Sequence, residues 1–185
     1  PDTAKSITGP VSVRAVNDNR LNVRPRENVP QTRNRFAVGA RINHRFSSGT
    51  LRAEERIYTD SWGVKASTTD GRYMHDLGER LRVWPHLRLH VQTGASFYHI
   101  AYSAAENTNG TPIEIPLYRT SDREASPFVA VTTGGGARIA LTSEKATVQY
   151  AVVVSGDVMY NYYSAALWIR SRTAVWGAVG FDAEF

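Results

Sequence analysis

The stretch LRVWPHLRLHVQTGASF, residues 81–97, alternates between apolar and polar residues along most of its length. The odd positions are mostly apolar and carry Leu81, Val83, Pro85, Leu87, Leu89, Val91, Ala95 and Phe97. The even positions are mostly polar and carry Arg82, His86, Arg88, His90, Gln92 and Ser96. Because successive side chains of a β-strand point to opposite faces, this pattern predicts a strand with one apolar and one charged face. Fully extended, it would span roughly 50 Å, well beyond an ordinary strand.

Similar alternation recurs along the chain and predicts about eight strands in all. The segments are 34–46, 50–62, 63–75, 81–97, 126–141, a strand from 146, and 167–185, with a further strand predicted at 9–16. Apolar residues at helical spacing do not persist anywhere for three turns, so the sequence predicts an all-β fold.

The last segment predicts one continuous strand, without a hairpin at Arg170–Arg172. Parity holds throughout, with Trp168, Arg170, Arg172, Trp176, Asp182 and Glu184 on one face. A continuous strand also makes short connections (47–49, 76–80, 142–145) alternate with longer ones (17–32, 59–63, 99–125, 155–163). Short turns at one end and long loops at the other are typical of outer-membrane barrels.

Composition limits the chemistry more than it identifies it. The chain has 185 residues, no cysteine and a net charge of +5. These facts exclude disulfides, thiolate metal sites and a cysteine nucleophile. No run of 18 apolar residues predicts a transmembrane helix, but a barrel strand would show none. The opening PDTAKS lacks the features of a signal peptide, so we expect a processed form if the protein is exported.

Two architectures fit alternating strands: a soluble sandwich with its apolar face inside, and a transmembrane barrel with that face outside. The predicted strand lengths favour the barrel. Aromatic residues near strand ends, among them Phe46, Phe97 and the terminal Phe185, are typical of membrane interfaces and of an assembly signal. The sequence therefore predicts an antiparallel transmembrane β-barrel in the outer membrane of a Gram-negative bacterium, with the lipid bilayer as its partner.

Three segments in order resemble a family of uncharacterised bacterial proteins predicted to be outer-membrane β-barrels. The matching residues are Tyr58, Asp60, Trp62 and Gly63; Gln92, Ala95, Phe97 and Tyr98; and Tyr118, Asp122, Arg123, Ser126 and Pro127. The resemblance covers residues 33–185 and implies fold and location, without an activity. It also leaves open that the chain is the C-terminal half of a larger barrel, or one wall of a barrel completed by another chain.

We expect two regions: residues 1–32, a strand and loop, and residues 33–185, the barrel wall with a long outer loop at 99–125. Arg119, Asp122 and Arg123 are expected to organise that loop through local ion pairs with acidic neighbours such as Glu124. A proline at position 127 fits the beginning of the next strand.

The charged faces predict a lumen or pore lining. Its expected members are Arg35, Arg41, Arg52, Glu54, Arg56, Arg82, His86, Arg88, His90, Arg138, Trp168, Arg170, Arg172, Asp182 and Glu184. An arginine-rich wall would favour anions in a water-filled pore. The alternative, which we weigh more heavily, is that these arginines pair with carboxylates and fill a narrow interior.

Other chemistries find little support. His86 and His90 are about 13 Å apart along one strand, so they cannot bind one metal ion together. TTGGGAR, residues 132–138, lacks the spacing of a phosphate-binding loop. We therefore expect no metal and no cofactor. We also expect no nucleic-acid partner, because the arginine-rich faces lie opposite apolar faces on successive strands.

The function predicted from sequence is non-enzymatic: a passive, anion-leaning pore, or a scaffold that holds a lipoprotein or periplasmic protein. The alternatives are a soluble β-sandwich binding module and an outer-membrane hydrolase. The candidate residues for a hydrolase are Asp60, His99, Asp122 and Ser126, although no spacing of nucleophile and base singles them out.

Overall fold

The computed structural model describes residues 1–5, 7, 9–22, 24–109, 112–143 and 146–185. For Glu106 it describes the backbone only. Long strands dominate: β2 Arg35–Phe46, β3 Gly49–Asp60, β4 Lys65–Leu77, β5 Leu81–Gln92, β9 Phe128–Ala140, β10 Gln149–Tyr163 and β11 Ser171–Glu184. Short elements complete the described chain: β1 Thr3–Ala4, helix α1 Val13–Asn19, β6 Tyr102–Ser103, β7 Ala105–Glu106, β8 Pro112–Ile113 and a 3-10 turn at Arg123–Ala125.

The seven long strands form one antiparallel sheet in the order β11-β10-β9-β5-β4-β3-β2. The all-β antiparallel prediction is confirmed. The sheet is not closed, however, because β2 and β11 each pair on one side only. The predicted count of about eight long strands becomes seven.

The predicted strand at 9–16 is wrong. Its second half belongs to α1, which begins where the Ser12 hydroxyl accepts a hydrogen bond from the Ala15 amide at 3.1 Å. A serine at this position satisfies a free amide of the first turn, and this local signal outweighs the alternation that suggested a strand. Residues 6, 8 and 23, which belong to the predicted N-terminal region, lie outside the described residues.

Two predicted strand ends are also wrong. β5 stops at Gln92, so residues 93–97 belong to the following connection. Residues 155–163, predicted as a loop, belong to β10. Gly156 and Asp157 suggested a turn, but Gly156 pairs with Gly135 on one side and Gly177 on the other.

The final strand begins later than predicted. Residues 164–170 connect β10 to β11, which starts at Ser171. No turn occurs at Arg170–Arg172, as predicted, since Arg172 pairs with Asn161 and the Arg170 carbonyl accepts from the Tyr163 amide at 2.8 Å. Trp168 and Arg170 therefore lie in a connection, and their predicted places on a strand face are wrong.

The connections fall at two ends of the sheet. The turns 47–48 and 78–80 and residues 141–143 and 146–148 lie at one end, which we call the turn end. The segments 61–64, 93–127 and 164–170 follow strands that finish at the opposite, loop end. Gly78 has φ 67°, a conformation that favours glycine in the tight turn. Of the short connection predicted at 142–145, residues 144 and 145 lie outside the described residues.

An apolar core lies at the loop end rather than against the sheet. Val64, Ala95 and Phe97 are buried together, with Trp62 and Tyr98 packed against them. Segments of 1–34 join this region: β1 pairs in parallel with β6, and Asn28 exchanges backbone hydrogen bonds with Arg119 at 3.0 and 2.7 Å. We call residues 1–34, 61–64, 93–127 and 164–170 the cap. No helix in the described ranges is long and apolar enough to cross a membrane.

Candidate functional site

The two faces of the sheet differ sharply in chemistry. Pairing across the strands aligns Arg41, Glu54, Asp70, Arg88 and Thr132 in one row, and the face that carries this row is called the polar face. The other, apolar face exposes large hydrophobic side chains: Phe36, Val38, Ile42, Phe46, Leu51, Ile57, Leu87, Leu89, Val91, Val131, Val154, Val158, Val175, Val179 and Phe181.

The two faces also differ in burial, and the buried side chains of two inner strands lie on the polar face. The buried residues of β9 and β10 lie on the polar face: Ala130, Thr132, Ala151, Asn161 and Tyr163. In a water-soluble sheet, the apolar face is the one that packs against a core. Here the large hydrophobic residues of that face are exposed, while the polar face is the more enclosed one on β9 and β10.

The polar face is concave. Side chains meet across an intervening strand in three places: Arg45 with Asp76, His86 with Asp157, and Arg138 with Asp182. Strands two apart in a sheet are separated by roughly 10 Å, so side chains converge over this distance most readily on the inside of a curve. The predicted lumen residues on the strands therefore share one curved surface.

Ion pairs organise part of this surface. Glu54 accepts from Arg41 at 2.8 Å and from Arg52 at 3.2 Å. Asp76 lies between Arg45 at 2.8 Å and Arg82 at 2.5 Å. Each carboxylate thus holds two arginines, and each cluster links two or more strands. These contacts are the paired-arginine arrangement that we weighed more heavily.

His86 lies between two carboxylates. Its Nε2 is 2.9 Å from Asp70 Oδ2 and its Nδ1 is 2.8 Å from Asp157 Oδ1. Gly134 lies between His86 and Asp157 in register, and a Cβ there would come within 2.6 Å of Asp157 Oδ1. The glycine therefore permits the contact, as expected for a strand glycine near a neighbouring side chain. We call this group the His86 clasp.

Other arginines on the polar face have no carboxylate. Within the part of the chain that the structure describes, no ion pair is formed by Arg35, Arg56, Arg72, Arg88 or Arg172. His90 differs from His86, because its Nδ1 contacts the Thr68 hydroxyl at 2.7 Å. The polar face thus combines paired clusters with unpaired cations.

Sequence reasoning missed members of this face. Asp157 was missed because residues 155–163 were interpreted as a loop. Arg72 was also missed: it lies on this face of β4, opposite His86 of β5. Trp176 was predicted on the same face as Arg172, and it lies there, opposite Asp157. Glu184 ends β11, and its neighbour Phe185 is 94% exposed.

The three sequence segments that carry the family resemblance meet in the cap. Asp60, from the first segment, has a side chain with 0% exposure. It accepts from Arg33 Nε at 2.8 Å, from the Tyr58 hydroxyl at 2.7 Å, and from the amides of Trp62 at 2.9 Å and Val64 at 3.1 Å. Arg33 also lies over the Trp62 ring, 4.4 Å from its centroid. This carboxylate therefore ties the β3–β4 connection to the N-terminal segment.

The second segment supplies the packed centre. Phe97, 8% exposed, lies 5.2 Å from the Trp62 ring and 6.4 Å from the Tyr118 ring. It was predicted at a membrane interface, and the structure instead places it inside the cap, because β5 ends five residues before it. The Gln92 amide donates to the carbonyls of Glu124 and Ser126 at 2.9 and 3.0 Å.

Two tyrosines hold the long connection together. The Tyr98 hydroxyl donates to the Ala165 carbonyl at 2.7 Å. The Tyr102 hydroxyl donates to the Phe97 carbonyl and accepts from the Thr120 amide at 2.8 Å. Burial raises the pKa of both phenols, so they remain neutral donors over an ordinary pH range.

The third segment shapes the rest of the cap. Arg119 donates to the carbonyls of Arg26 and Pro116, both at 2.9 Å, and Asp122 Oδ1 accepts from the Glu124 amide at 3.0 Å. Arg123 lies 5.7 Å from the Tyr163 ring centroid. These residues do organise the loop, but through backbone and ring contacts, and the local ion pairs predicted for Arg119 and Arg123 are not among those the described residues form.

The candidate hydrolase residues are not assembled. The Ser126 hydroxyl donates to the Arg123 carbonyl at 2.6 Å, and Asp60 is occupied as described above. His99 packs edge-on against Tyr102 at 5.3 Å. Across the described ranges, no three His, Asp or Glu side chains are grouped so as to hold a metal ion.

Comparison with known proteins gives one match. A family model described as "Protein of unknown function (DUF3570)" matches residues 10–162. No curated protein and no solved structure matches the chain. The matched range includes α1, the six long strands from β2 to β10, and all three motif segments. Of these strands, only β10 extends beyond the match, by its last residue, Tyr163.

Proposed function

Since the chain belongs to the family DUF3570, whose function is unknown, we propose its role from the geometry alone. The chain is a wall of a transmembrane β-barrel in the outer membrane of a Gram-negative bacterium. Its apolar face contacts lipid, its polar face lines the interior, and the assembled barrel acts as a passive, anion-leaning pore.

The observation that carries this proposal is the inversion of the sheet. Large hydrophobic side chains are exposed along six of the seven long strands, and on β4 only at its end, at Leu77. The ion pairs lie on the opposite face. In water an apolar surface of this extent is unfavourable, whereas in a bilayer it is the surface that lipid requires. Strands of 12–15 residues are also longer than the roughly 9–11 residues that a tilted barrel strand needs.

The open edges support a larger closed assembly. Because every neighbouring pair in the seven-stranded sheet is antiparallel, the two edge strands β2 and β11 run in the same direction. Joining them directly would make a parallel pair. An all-antiparallel barrel therefore needs an odd number of further strands, which would come from elsewhere in a longer protein or from another chain.

The unpaired arginines support the anion preference. Arg35, Arg56, Arg72, Arg88 and Arg172 add positive charge to the polar face that no carboxylate neutralises among the described residues. Charged side chains around a water-filled passage select ions of the opposite sign. The interior proposed here therefore leans toward anions, even though paired clusters occupy part of it.

The test uses two neighbouring residues of β10. Val158 is on the apolar face and Met159 on the polar face. The chain has no cysteine, so V158C and M159C can each carry one nitroxide label in reconstituted vesicles. We expect the label at 158 to collide with dissolved oxygen and the label at 159 with a water-soluble nickel chelate. Equal access of the chelate to both labels would refute the membrane location.

A second candidate, the scaffold, is favoured by the same open edges. Each edge strand presents unpaired backbone groups that a partner chain can cover. The partner would be a further barrel-forming chain, a lipoprotein or a periplasmic protein, and no catalysis is proposed. Stable co-purification of such a chain after gentle detergent extraction, without conductance in planar bilayers, would favour the scaffold over the pore.

A further inference from the structure

A cavity of about 370 Å³ opens on the polar face below the cap. Its floor is formed by Ala130 and Thr132 of β9 and by Met159 and Asn161 of β10. Alanine and threonine are small, so the middle of the sheet is hollow here while longer side chains rise on both sides. A volume of this size lies within the range of small-molecule sites.

An arginine stands on each rim. Arg88 belongs to β5, where His90 also lines the cavity, and Arg172 belongs to β11. In the sheet, β5 and β11 are separated by three interstrand distances, about 14 Å in all. An extended arginine side chain from each strand reaches most of the way to the midpoint between them. Glu124, on the cap side, is the acidic residue of the lining. The two arginines can therefore approach one small ligand from opposite sides.

Four polar side chains of the cavity lack a protein partner among the described residues: Arg88, Thr132, Asn161 and Arg172. Arg88 and Arg172 form no ion pair among the described residues. Asn161 is 6% exposed and Thr132 is 5% exposed, yet neither side chain hydrogen-bonds to another described residue. The Asn161 amide and the Thr132 hydroxyl are not among the fully buried polar atoms that lack a partner, so they remain accessible from the cavity and can bind a ligand there.

Aromatic rings add a flat apolar surface beside these groups. Phe128 lies 5.4 Å from the Tyr163 ring and 5.3 Å from the His90 ring, and Trp176 lines the β11 side. Rings stack on rings, and guanidinium groups bind carboxylates in a bidentate manner. The cavity thus combines a planar apolar surface with donors for a negative charge.

We propose that this cavity is a binding site for a small aromatic carboxylate. Arg172 and Arg88 hold the carboxylate, Asn161 donates to it or to a substituent, and the ring lies against Phe128 and Trp176. The proposal does not rest on the membrane location, because the site is built from described residues of this chain alone and binding is measured on purified protein.

The probes are benzoate and its uncharged counterpart benzamide. Titration calorimetry of the purified chain should detect benzoate binding and much weaker benzamide binding. Loss of one charge-assisted contact in R172Q should weaken benzoate about tenfold or more. R56Q is the matched control, since Arg56 is also unpaired and on the polar face but does not line the cavity.

Arg172 is exposed on an edge strand, so R172Q is expected to fold, and circular dichroism checks this. Fluorescence from Trp176 gives a second readout, which W176F should abolish if the ligand lies where proposed. Equal affinity for benzoate and benzamide would overturn the proposal. Equal weakening of benzoate binding by R56Q and R172Q would also overturn it, because it would indicate a general attraction of anions. The absence of benzoate binding at about 10 mM, a concentration well above the weak end of the affinity scale, would overturn it as well.

Discussion

The cap and the sheet solve the problem of apolar surface in opposite ways. The cap buries Phe97, Val64 and Ala95 against one another, as a domain in water does. The sheet leaves residues such as Val175, Val179 and Phe181 exposed and places its ion pairs on the concave side. One chain therefore contains a region with its own core and a region whose apolar surface no described residue covers. In the proposed barrel, the cap would meet water and the apolar face of the sheet would meet lipid.

The difference also separates their sources of stability. Burial and directed hydrogen bonds stabilise the cap, and Asp60 is the centre of those bonds. The sheet depends on its backbone ladder and on contacts across the polar face, while its apolar face contributes only when something covers it. Substitutions in matched pairs, one in each region, can sharpen or break this distinction.

The largest effect is expected for D60A. Removing the carboxylate leaves the Arg33 guanidinium, the Tyr58 hydroxyl and two amides without their acceptor, so opening of the cap should become easier by about 3–5 kcal/mol. Hydrogen exchange at the Ala95 amide, which donates to the Ala125 carbonyl, measures this opening. The control D122A removes an exposed carboxylate with one amide contact and should cost about 1 kcal/mol. Equal effects of the two would contradict a central role for Asp60.

Substitution of two phenylalanines, one in the cap and one on the apolar face, compares the effect of burial on stability. Phe97 is 8% exposed in the cap, and Phe181 is 62% exposed on the apolar face. We expect F97A to destabilise the cap by about 3 kcal/mol, because it empties a packed space. F181A should cost less than about 1 kcal/mol in urea unfolding of the detergent-solubilised protein. A large cost at Phe181 would mean that protein, and not lipid or detergent, covers the apolar face.

Two glycines of neighbouring strands test the polar side of the sheet. A Cβ at Gly134 would come within 2.1 Å of the Gly156 carbonyl oxygen, whereas a Cβ at Gly156 meets only Trp176 O at 3.6 Å. G134A should therefore destabilise the sheet by about 1–3 kcal/mol and displace Asp157 from His86. G156A should be nearly neutral. Histidine NMR signals report the clasp, and an unchanged His86 signal in G134A would show that the glycine is not needed for the contact.

The sequence predicted the parts of this fold that depend on a local period. Alternation of two residues identified the long strands and correctly assigned neighbours such as Arg88 and Leu87 to opposite faces. The same parity correctly placed Trp176 on the face of Arg172 and Asp182. The absence of a turn at residues 170–172 was also correct, because Arg172 continues the ladder with Asn161.

The predictions that failed, and the contacts that were not predicted, share one physical cause: they involve residues that are far apart in the sequence. Phe97 continues the alternation of β5, yet it packs against Trp62 and Tyr118 from other segments. The clasp of His86 joins Asp157, far away in sequence, over a glycine of a third strand. The Asp60 cluster joins Arg33 from the N-terminal segment. No periodicity encodes such pairs, since the pairing partner is chosen by the tertiary fold.

The smallest expected effect concerns ion selectivity of the proposed pore. Arg56 lies on the polar face without a carboxylate partner among the described residues, and it lies outside the cavity below the cap. R56Q should lower the anion-to-cation permeability ratio in planar bilayers by less than about twofold, because one charge among many is removed and salt screens the remainder. R14Q removes the same charge from α1, where Arg14 faces Asp18 at 3.6 Å, and serves as the control.

Arg88 connects this prediction with the cavity. R88Q should lower the permeability ratio as R56Q does and also weaken benzoate binding, whereas R56Q should change permeation alone. The two measurements thus separate a general electrostatic role of the polar face from a local site on it. If R14Q shifted the permeability ratio as much as R56Q, the polar face would not be the surface that ions meet, and the contrast between cap and sheet would lose its functional meaning.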